Sequence, residues 1–369
     1  MTDPIADLLP QGLEDRLPAS ARALIAARRA TLDAMDSHGY DRVIPPLVEF
    51  EGSMAARMHG LATRRMFRFT DPASLRTLAL RSDITVQVGR IAATSLAETP
   101  RPLRLCYAGE VAVIAADQLD PARQRLQIGA ELIGSDGVAA AAEIVGLAIE
   151  ALAAAGAIGI SVDFTLPDLV DTLARKAFPL EPDRIDSVRR ELDAKDAGAL
   201  KDVGGEAYLP LLYAAGPFEA AVERLAAIDA GGALASRIAG LRKIAAKVSG
   251  KARLTLDPTE RHGFEYQSWF GFTLYAEGVR GTLGRGGTYR IGGNEEVATG
   301  FSLYIDPLVD ALGLSPAGDL LYLPPGHDPD VAARLRAIGW RTLAALEDGE
   351  DVAAIGCTHR LDGSEARPL

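Results

Sequence analysis

The stretch from Gly109 to Gly134, GEVAVIAADQLDPARQRLQIGAELIG, carries the residues best suited to chemistry. It reads as two strands joined by a long polar loop. The second strand alternates: Leu126, Ile128, Ala130 and Leu132 point one way, and Gln127, Gly129 and Glu131 point the other. The apolar face must pack on something. The polar face offers an amide, a gap without a side chain and a carboxylate, which together suit a small ligand that donates hydrogen bonds. A solvated strand face accounts for the same pattern.

The surrounding elements can be read in coarse form. Pro18 to His38 forms a first helix, with Leu24, Ile25, Leu32 and Met35 on one face and Gly39 as its stop. In GYDRVIPPLVEF, Val43 and Leu47 flank a proline pair, so the segment is extended and suits an edge or interface strand. Met66–Thr70 and Leu75–Leu80 form a hairpin around DPAS. Gly137 to Ser161 is an alanine-rich helix followed by a strand in which Ile158, Ile160, Val162 and Phe164 are expected to be buried. From Pro167 to Ser249 the pattern is helical, charged and broken by Pro and Gly, a separate insert of short helices in which no chemistry is apparent. Strands return at residues 261–278 and 281–290. The last stretch holds a βα-like segment, LLYLPPG then DPDVAARLRAIGW, and a short strand, DVAAIGC.

The 369 residues suffice for one large core plus a smaller unit, and a hydrophobic content of 48% with 24% charged residues indicates an ordinary globular protein. A net charge of −11 argues against a broad phosphate-binding surface, though a local basic patch is compatible with it. Two cysteines, Cys106 and Cys357, exclude a disulfide framework and fit a reducing compartment; Cys106 reads as a small core residue. The five histidines are scattered and no Cys/His spacing suggests a metal. The opening MTDPIADLLPQGLEDR has early acids and no apolar core, and Glu143 and Glu150 interrupt the most apolar stretch. Neither a signal peptide nor a membrane span is expected, which places the protein in the cytoplasm.

Beyond the pattern, these residues resemble the class II aminoacyl-tRNA synthetases of the histidyl type. Gly109, Gln118, Arg123, Gln127, Gly129, Glu131 and Gly134 fall on positions of the family's motif 2. The proline pair resembles motif 1, with Pro46 on its proline, an element that builds the family's dimer interface. LRSDITVQVGR, Leu80 to Arg90, resembles the segment beside the amino-acid pocket, where Asp83 and Thr85 receive the α-ammonium group with Gln127 nearby. A helix cap before Ile84 is the plain alternative for Asp83. RHGFEYQ resembles a histidyl signature through Gly263, Glu265 and Tyr266; GRGGTYR resembles its companion through Gly286, Gly287 and Tyr289; and TGFSLYIDPL resembles motif 3.

The departures carry as much information. The three arginines the family uses fall on Val113, His262 and Pro307; the Glu and Arg after the first fall on Ala115 and Ala116. The motif 3 glycine falls on Tyr304, and the second signature tyrosine on Gln267. Around Tyr289, an arginine and an aspartate become Thr288 and Arg290. The resemblance implies an α+β fold, a mainly antiparallel sheet flanked by helices. It implies a core over residues 1–314 with a helical insertion at about 166–252, then a short α/β segment, 315–369, too small for a full anticodon-binding domain. A pocket that keeps the amino-acid side and discards the reactive side resembles the regulatory subunits of ATP phosphoribosyltransferase, histidyl-synthetase paralogues that bind histidine without aminoacylation. That likeness implies no catalytic residue, cofactor, metal, tRNA or membrane partner. It implies a short-form catalytic subunit as partner, a homodimer through the motif 1 region, and histidine as effector at Asp83, Thr85, Gln127, Glu131, Tyr266, Gln267 and Tyr289. A true histidyl-tRNA synthetase and an orphan synthetase-like amino-acid-binding protein remain alternatives.

Overall fold

The computed structural model describes residues 8–56, 65–114, 121–228, 230–261, 267–292, 295–313, 318–347 and 349–369. The chain divides into two units, Met1–Asp15 with Leu24–Leu312, and Arg16–Ala23 with Gly313–Leu369. The first is built on a nine-stranded sheet in the order β1-β5-β6-β12-β11-β10-β7-β9-β8. Its strands are β1 (Asp41–Arg42), β5 (Leu103–Ala112), β6 (Gln124–Ile133), β7 (Ser161–Thr165), β8 (Gly216–Pro217), β9 (Arg253–Leu256), β10 (Gln267–Tyr275), β11 (Gly284–Arg290) and β12 (Val297–Tyr304). Only β1 with β5 and β7 with β9 pair in parallel; the other ladders are antiparallel. A small sheet of β2 (Val48–Phe50), β3 (Arg68–Thr70) and β4 (Thr77–Leu80) contains the hairpin expected around DPAS.

The helices between Pro18 and Ala311 are α1 (Pro18–Ser37), α2 (Glu51–Ala55), α3 (Thr85–Ala93), α4 (Val138–Ala154), α5 (Leu169–Lys176), α6 (Ile185–Asp193), α7 (Ala197–Asp202), α8 (Phe218–Ile228), α9 (Ala235–Val248) and α10 (Asp306–Ala311). Alanine favours helix more than any other residue, which explains the long α4. Gly137, in extended conformation, precedes it, and Gly156 at φ 100° follows. α4 packs on β6, β11 and β12, with α9 against it. On the opposite side α3 forms a core with β5 and β6 through Ile84, Val88, Leu105, Tyr107 and Ile133. Both faces of β6 are therefore buried, and the solvated-face reading fails.

Several local expectations shift. Ile25 is 65% exposed; the buried stripe of α1 is Ala27, Thr31, Leu32 and Met35. β7 begins only at Ser161, because Gly159 turns at φ 57° and leaves Ile158 67% exposed. The helical insertion is no separate body. It is the crossover between the parallel strands β7 and β9, and β8 within it joins the same sheet. Phe218 of α8 meets Phe164 of β7 edge-on at 5.7 Å, and Phe164 in turn meets Phe270 at 5.5 Å.

The second unit holds a four-stranded sheet, β14-β13-β15-β16, with α11 (Pro329–Ala337). The strands are β13 (Leu320–Leu323), β14 (Arg341–Ala344), β15 (His359–Asp362) and β16 (Glu365–Pro368). The segment DVAAIGC is not a strand: the Asp351 side chain accepts from Ala354 N–H, a helical turn forms, and Gly356 at φ 82° ends it. Among the described residues no helix is long and apolar enough to cross a membrane.

The phenylalanine cluster ties the insertion to the sheet. Replacing fully buried Phe270 with alanine should cost about 3–5 kcal/mol and lower the unfolding temperature in a calorimetric scan. An unchanged transition would show that the cluster is not a structural anchor.

Candidate functional site

The β5–β6–β12 register builds a grid of three rows. Leu105, Glu131 and Gly300 stand abreast, then Tyr107, Gly129 and Ser302, then Gly109, Gln127 and Tyr304. Each row contains a glycine, and each glycine admits a polar side chain. A Cβ on Gly300 would collide with the Glu131 carboxylate, one on Gly129 with the Tyr107 hydroxyl, and one on Gly109 with the Arg81 guanidinium. Arg81 is itself anchored on backbone carbonyls, Nε to Glu110 O at 2.7 Å and Nη1 to Pro45 O at 3.0 Å.

The side chains on this face form one hydrogen-bonded network beneath α3. Tyr107 and Tyr289 donate their hydroxyls to the two oxygens of Glu131, at 3.1 and 2.7 Å. The Tyr107 oxygen also lies 3.0 Å from both Thr85 Oγ1 and Ser302 Oγ. Gln127 donates through Nε2 to Asp83 Oδ1 at 2.7 Å and to Ser302 Oγ at 2.8 Å, and its Oε1 accepts from Ile84 N–H at 2.8 Å. Asp83 Oδ1 also accepts from Thr85 N–H at 2.9 Å, a local turn contact; the helix-cap reading of Asp83 fails, because Ile84 occupies the N-cap position of α3 and no side chain caps it. Its Oδ2 takes no hydrogen bond among the described residues.

Glu131 is 1% exposed and meets hydroxyl groups where a buried carboxylate would ordinarily need a cation. Burial pushes its pKa up from 4.5 to about 8, the Tyr289 hydroxyl opposes that rise, and nearby Asp83 adds to it. Burial also raises the Tyr107 phenol well above its ordinary range, with the charges of Glu131 and Asp83 adding to the effect. The set is rich in acceptors and bridged by hydroxyls that can rotate, so it can receive N–H groups of a ligand.

Five of the seven residues singled out in the sequence, Asp83, Thr85, Gln127, Glu131 and Tyr289, come together here. Gln267 begins β10 with its Cα opposite Tyr289. Tyr266 lies outside the described residues, as do His262, Ala115, Ala116 and Gln118. Sequence reasoning missed Tyr107 and Ser302, which flank Gly129 on either side. It also left the space over Gly129 open, whereas the Tyr107 hydroxyl occupies it. A tyrosine two residues before Gly109 in the preceding strand was the available signal. Val113 follows β5, its N–H on Arg123 O at 2.8 Å, and Pro307 lies in the first turn of α10. Tyr304 ends β12, its ring centroid 5.7 Å from the Arg125 guanidinium. Among the described residues no cluster of His, Cys, Asp or Glu could hold a metal.

A carboxyl whose folded pKa is raised contributes stability that is fully present below its unfolded value and is lost as pH rises through the folded one. For Glu131 that window runs from 4.5 to about 8. Glu131→Gln removes the titration while keeping the shape. Its unfolding temperature should therefore gain on the native protein between about pH 5 and about pH 8.5. A difference that stays flat across that range would show that Glu131 is not held neutral by burial.

Comparison with known proteins identifies the family. The histidyl-tRNA synthetase family model matches residues 12–308. An ATP phosphoribosyltransferase regulatory subunit from Rhodospirillum centenum is 42% identical over 380 residues, covering 100% of this chain and 98% of that one. The protein of the same name from Paramagnetospirillum magneticum is 40% identical, with 96% of each chain covered. Among solved structures, an ATP phosphoribosyltransferase regulatory subunit/histidyl-tRNA synthetase from Bacillus halodurans matches with a TM-score of 0.80 at 26% identity, covering 96% of this chain and 97% of that one. A histidyl-tRNA synthetase from Nostoc reaches 0.77 at 14% identity over 96% and 91% of the two chains, a likeness of fold alone. The chain has the class II histidyl-synthetase fold and belongs to the family of ATP phosphoribosyltransferase regulatory subunits.

Proposed function

We propose that this chain is a non-catalytic regulatory subunit. It would associate with a short-form ATP phosphoribosyltransferase catalytic subunit, support the joining of ATP to phosphoribosyl pyrophosphate at the start of histidine biosynthesis, and convey inhibition by histidine. The observation that carries this reading is the buried network around Glu131, read together with Val113 and Pro307 where the synthetase family has arginines. Adenylate formation brings two anions together and needs preorganised cations; loss of one such donor typically costs about 2.7–4 kcal/mol of transition-state stabilisation. The motif 3 glycine is replaced by Tyr304, whose ring adds bulk beside Gln127. The amino-acid side of the pocket keeps its acceptors.

In this reading the α-ammonium group of histidine meets Asp83 Oδ2 and Thr85, and the imidazole meets Glu131, with Tyr289 beside it. Entry requires the Tyr107 hydroxyl to leave the space over Gly129, which breaks its contact with Thr85 at the start of α3. α3 has a direct connection onward. Gln87 donates to Pro46 O at 2.8 Å and to Glu49 Oε1 at 3.0 Å, and Arg90 binds Glu49 at 2.6 Å. Glu49 lies in β2 and Pro46 in the link to it from the edge strand β1, a link in which Ile44 is 93% exposed and Leu47 50% exposed. That edge is the surface we assign to a homodimer. Ligand occupancy would bias α3 and, through it, the assembly, with a coupling typically of about 1–3 kcal/mol.

Reconstitution tests the reading. A short-form catalytic subunit from the same source should form phosphoribosyl-ATP much faster with this chain than without it, and histidine should inhibit the mixture. Glu131→Gln, which puts an amide N–H₂ where one acceptor oxygen stands, should leave activation intact while weakening inhibition by about tenfold or more, the loss expected when a buried ligand N–H is left without its acceptor. The chain alone should give no histidine-dependent ATP–pyrophosphate exchange. Exchange activity, or no effect on phosphoribosyl-ATP formation, would overturn the assignment.

A further inference from the structure

The helical insertion frames a cavity of ≈ 530 Å³ against the start of β10. Five arginines line it: Arg175 of α5, Arg189 of α6, Arg237 of α9, Arg261, and Arg290 at the end of β11. This is not the Glu131 site. Arg290 follows Tyr289 in the same strand, so the two side chains leave opposite faces of the sheet.

Two of the arginines are already paired. Arg189 binds Asp171 and, at 2.6 Å, Asp186; Arg237 binds Asp168 and sits 5.6 Å from the Trp269 ring centroid. The other three make no ion pair among the described residues. Among the described residues, Arg290 donates to the Glu295 carbonyl at 3.2 Å and Arg261 donates through its backbone N–H to Asp193 at 2.8 Å. Arg189 adds a buried Nε–H with no acceptor among the described residues. Against these cations stand Asp136 and Glu260, and burial together with Asp257 and Asp163 pushes the Glu260 carboxyl up to about 7. With Asp168 and Asp171 also in the lining, five guanidiniums meet four carboxyls, a small cationic excess inside a protein of net charge −11.

Guanidinium forks arriving from separate elements are satisfied together by an acceptor with many lone pairs, and a phosphoryl group is the common one. The volume leaves room for an organic part beside a phosphoryl group. Asp136 offers an acceptor for its hydroxyl groups. We propose that this cavity binds a phosphorylated sugar, its phosphate on Arg175, Arg261 and Arg290 and its hydroxyls toward Asp136.

Calorimetric titration of the whole chain tests this with four probes: ribose 5-phosphate, AMP, inorganic phosphate and ribose. Ribose 5-phosphate should bind and ribose should not, with affinity falling as salt rises. The double variant Arg175→Gln/Arg261→Gln should weaken ribose 5-phosphate about tenfold or more while its ligand-free unfolding temperature stays at the native value. Asp136→Asn should weaken ribose 5-phosphate and leave inorganic phosphate unchanged. AMP binding no tighter than ribose 5-phosphate supports a sugar phosphate; much tighter AMP binding replaces it with a nucleotide. Inorganic phosphate binding as well as ribose 5-phosphate would mean an adventitious ion only. That result, no binding in the millimolar range, or an affinity unmoved in the double variant would overturn the proposal.

Discussion

The structure turns on placing the Glu131 carboxylate inside the sheet with two tyrosine hydroxyls as its partners. An unpaired buried charge is costly, so the group must take a proton, find donors, or wait for a ligand that supplies them. Each of these answers constrains the neighbours. Gly300 has no side chain so that the carboxylate fits; Gly129 has none so that Tyr107 can reach it. Ser302 and Thr85 then absorb the remaining hydrogen-bonding capacity of Tyr107, and Gln127 links the set to Asp83.

In the proposed function, the same arrangement would let a site in mid-sheet be felt elsewhere. A partly satisfied polar network under low dielectric is a high-stakes element, because a change at one member leaves others unpaired. Here the network ends at Thr85, the first residue of α3, and the far side of α3 is clamped to Pro46 and Glu49 by Gln87 and Arg90. The other face of the sheet is covered by α4, which lies on β6, β11 and β12. Tyr289 and Arg290 further place the network and the arginine-lined cavity back to back across one strand.

Much of this was legible in the sequence, and the losses have physical causes. The alternation of Gln127, Gly129 and Glu131 names the polar face of β6, because a period of two is a local property. It cannot say whether water or a helix covers that face; α3 does, and burial turns a plausible surface carboxylate into one held near neutrality. Tyr107 and Ser302 escaped notice because cross-strand register brings them to Gly129, and register lies beyond any single strand's pattern. The cavity escaped for the same reason, since its arginines come from α5, α6, α9 and β11. In the C-terminal unit the four-residue strands β15 and β16 are too short to show a pattern, and the alanine-containing run DVAAIGC reads as a strand although an aspartate starts a turn there. The motif resemblance, resting on residue identities at fixed spacing, survived all of these errors.

The most direct test of a histidine-sensing pocket is a calorimetric titration of histidine into this chain alone, native and Asp83→Asn. Saturable binding of one histidine per chain is expected, weakened about tenfold or more when the Asp83 charge is removed. Absence of binding, or an affinity indifferent to Asp83, would contradict the pocket built on Glu131 and leave the network a structural feature of the sheet.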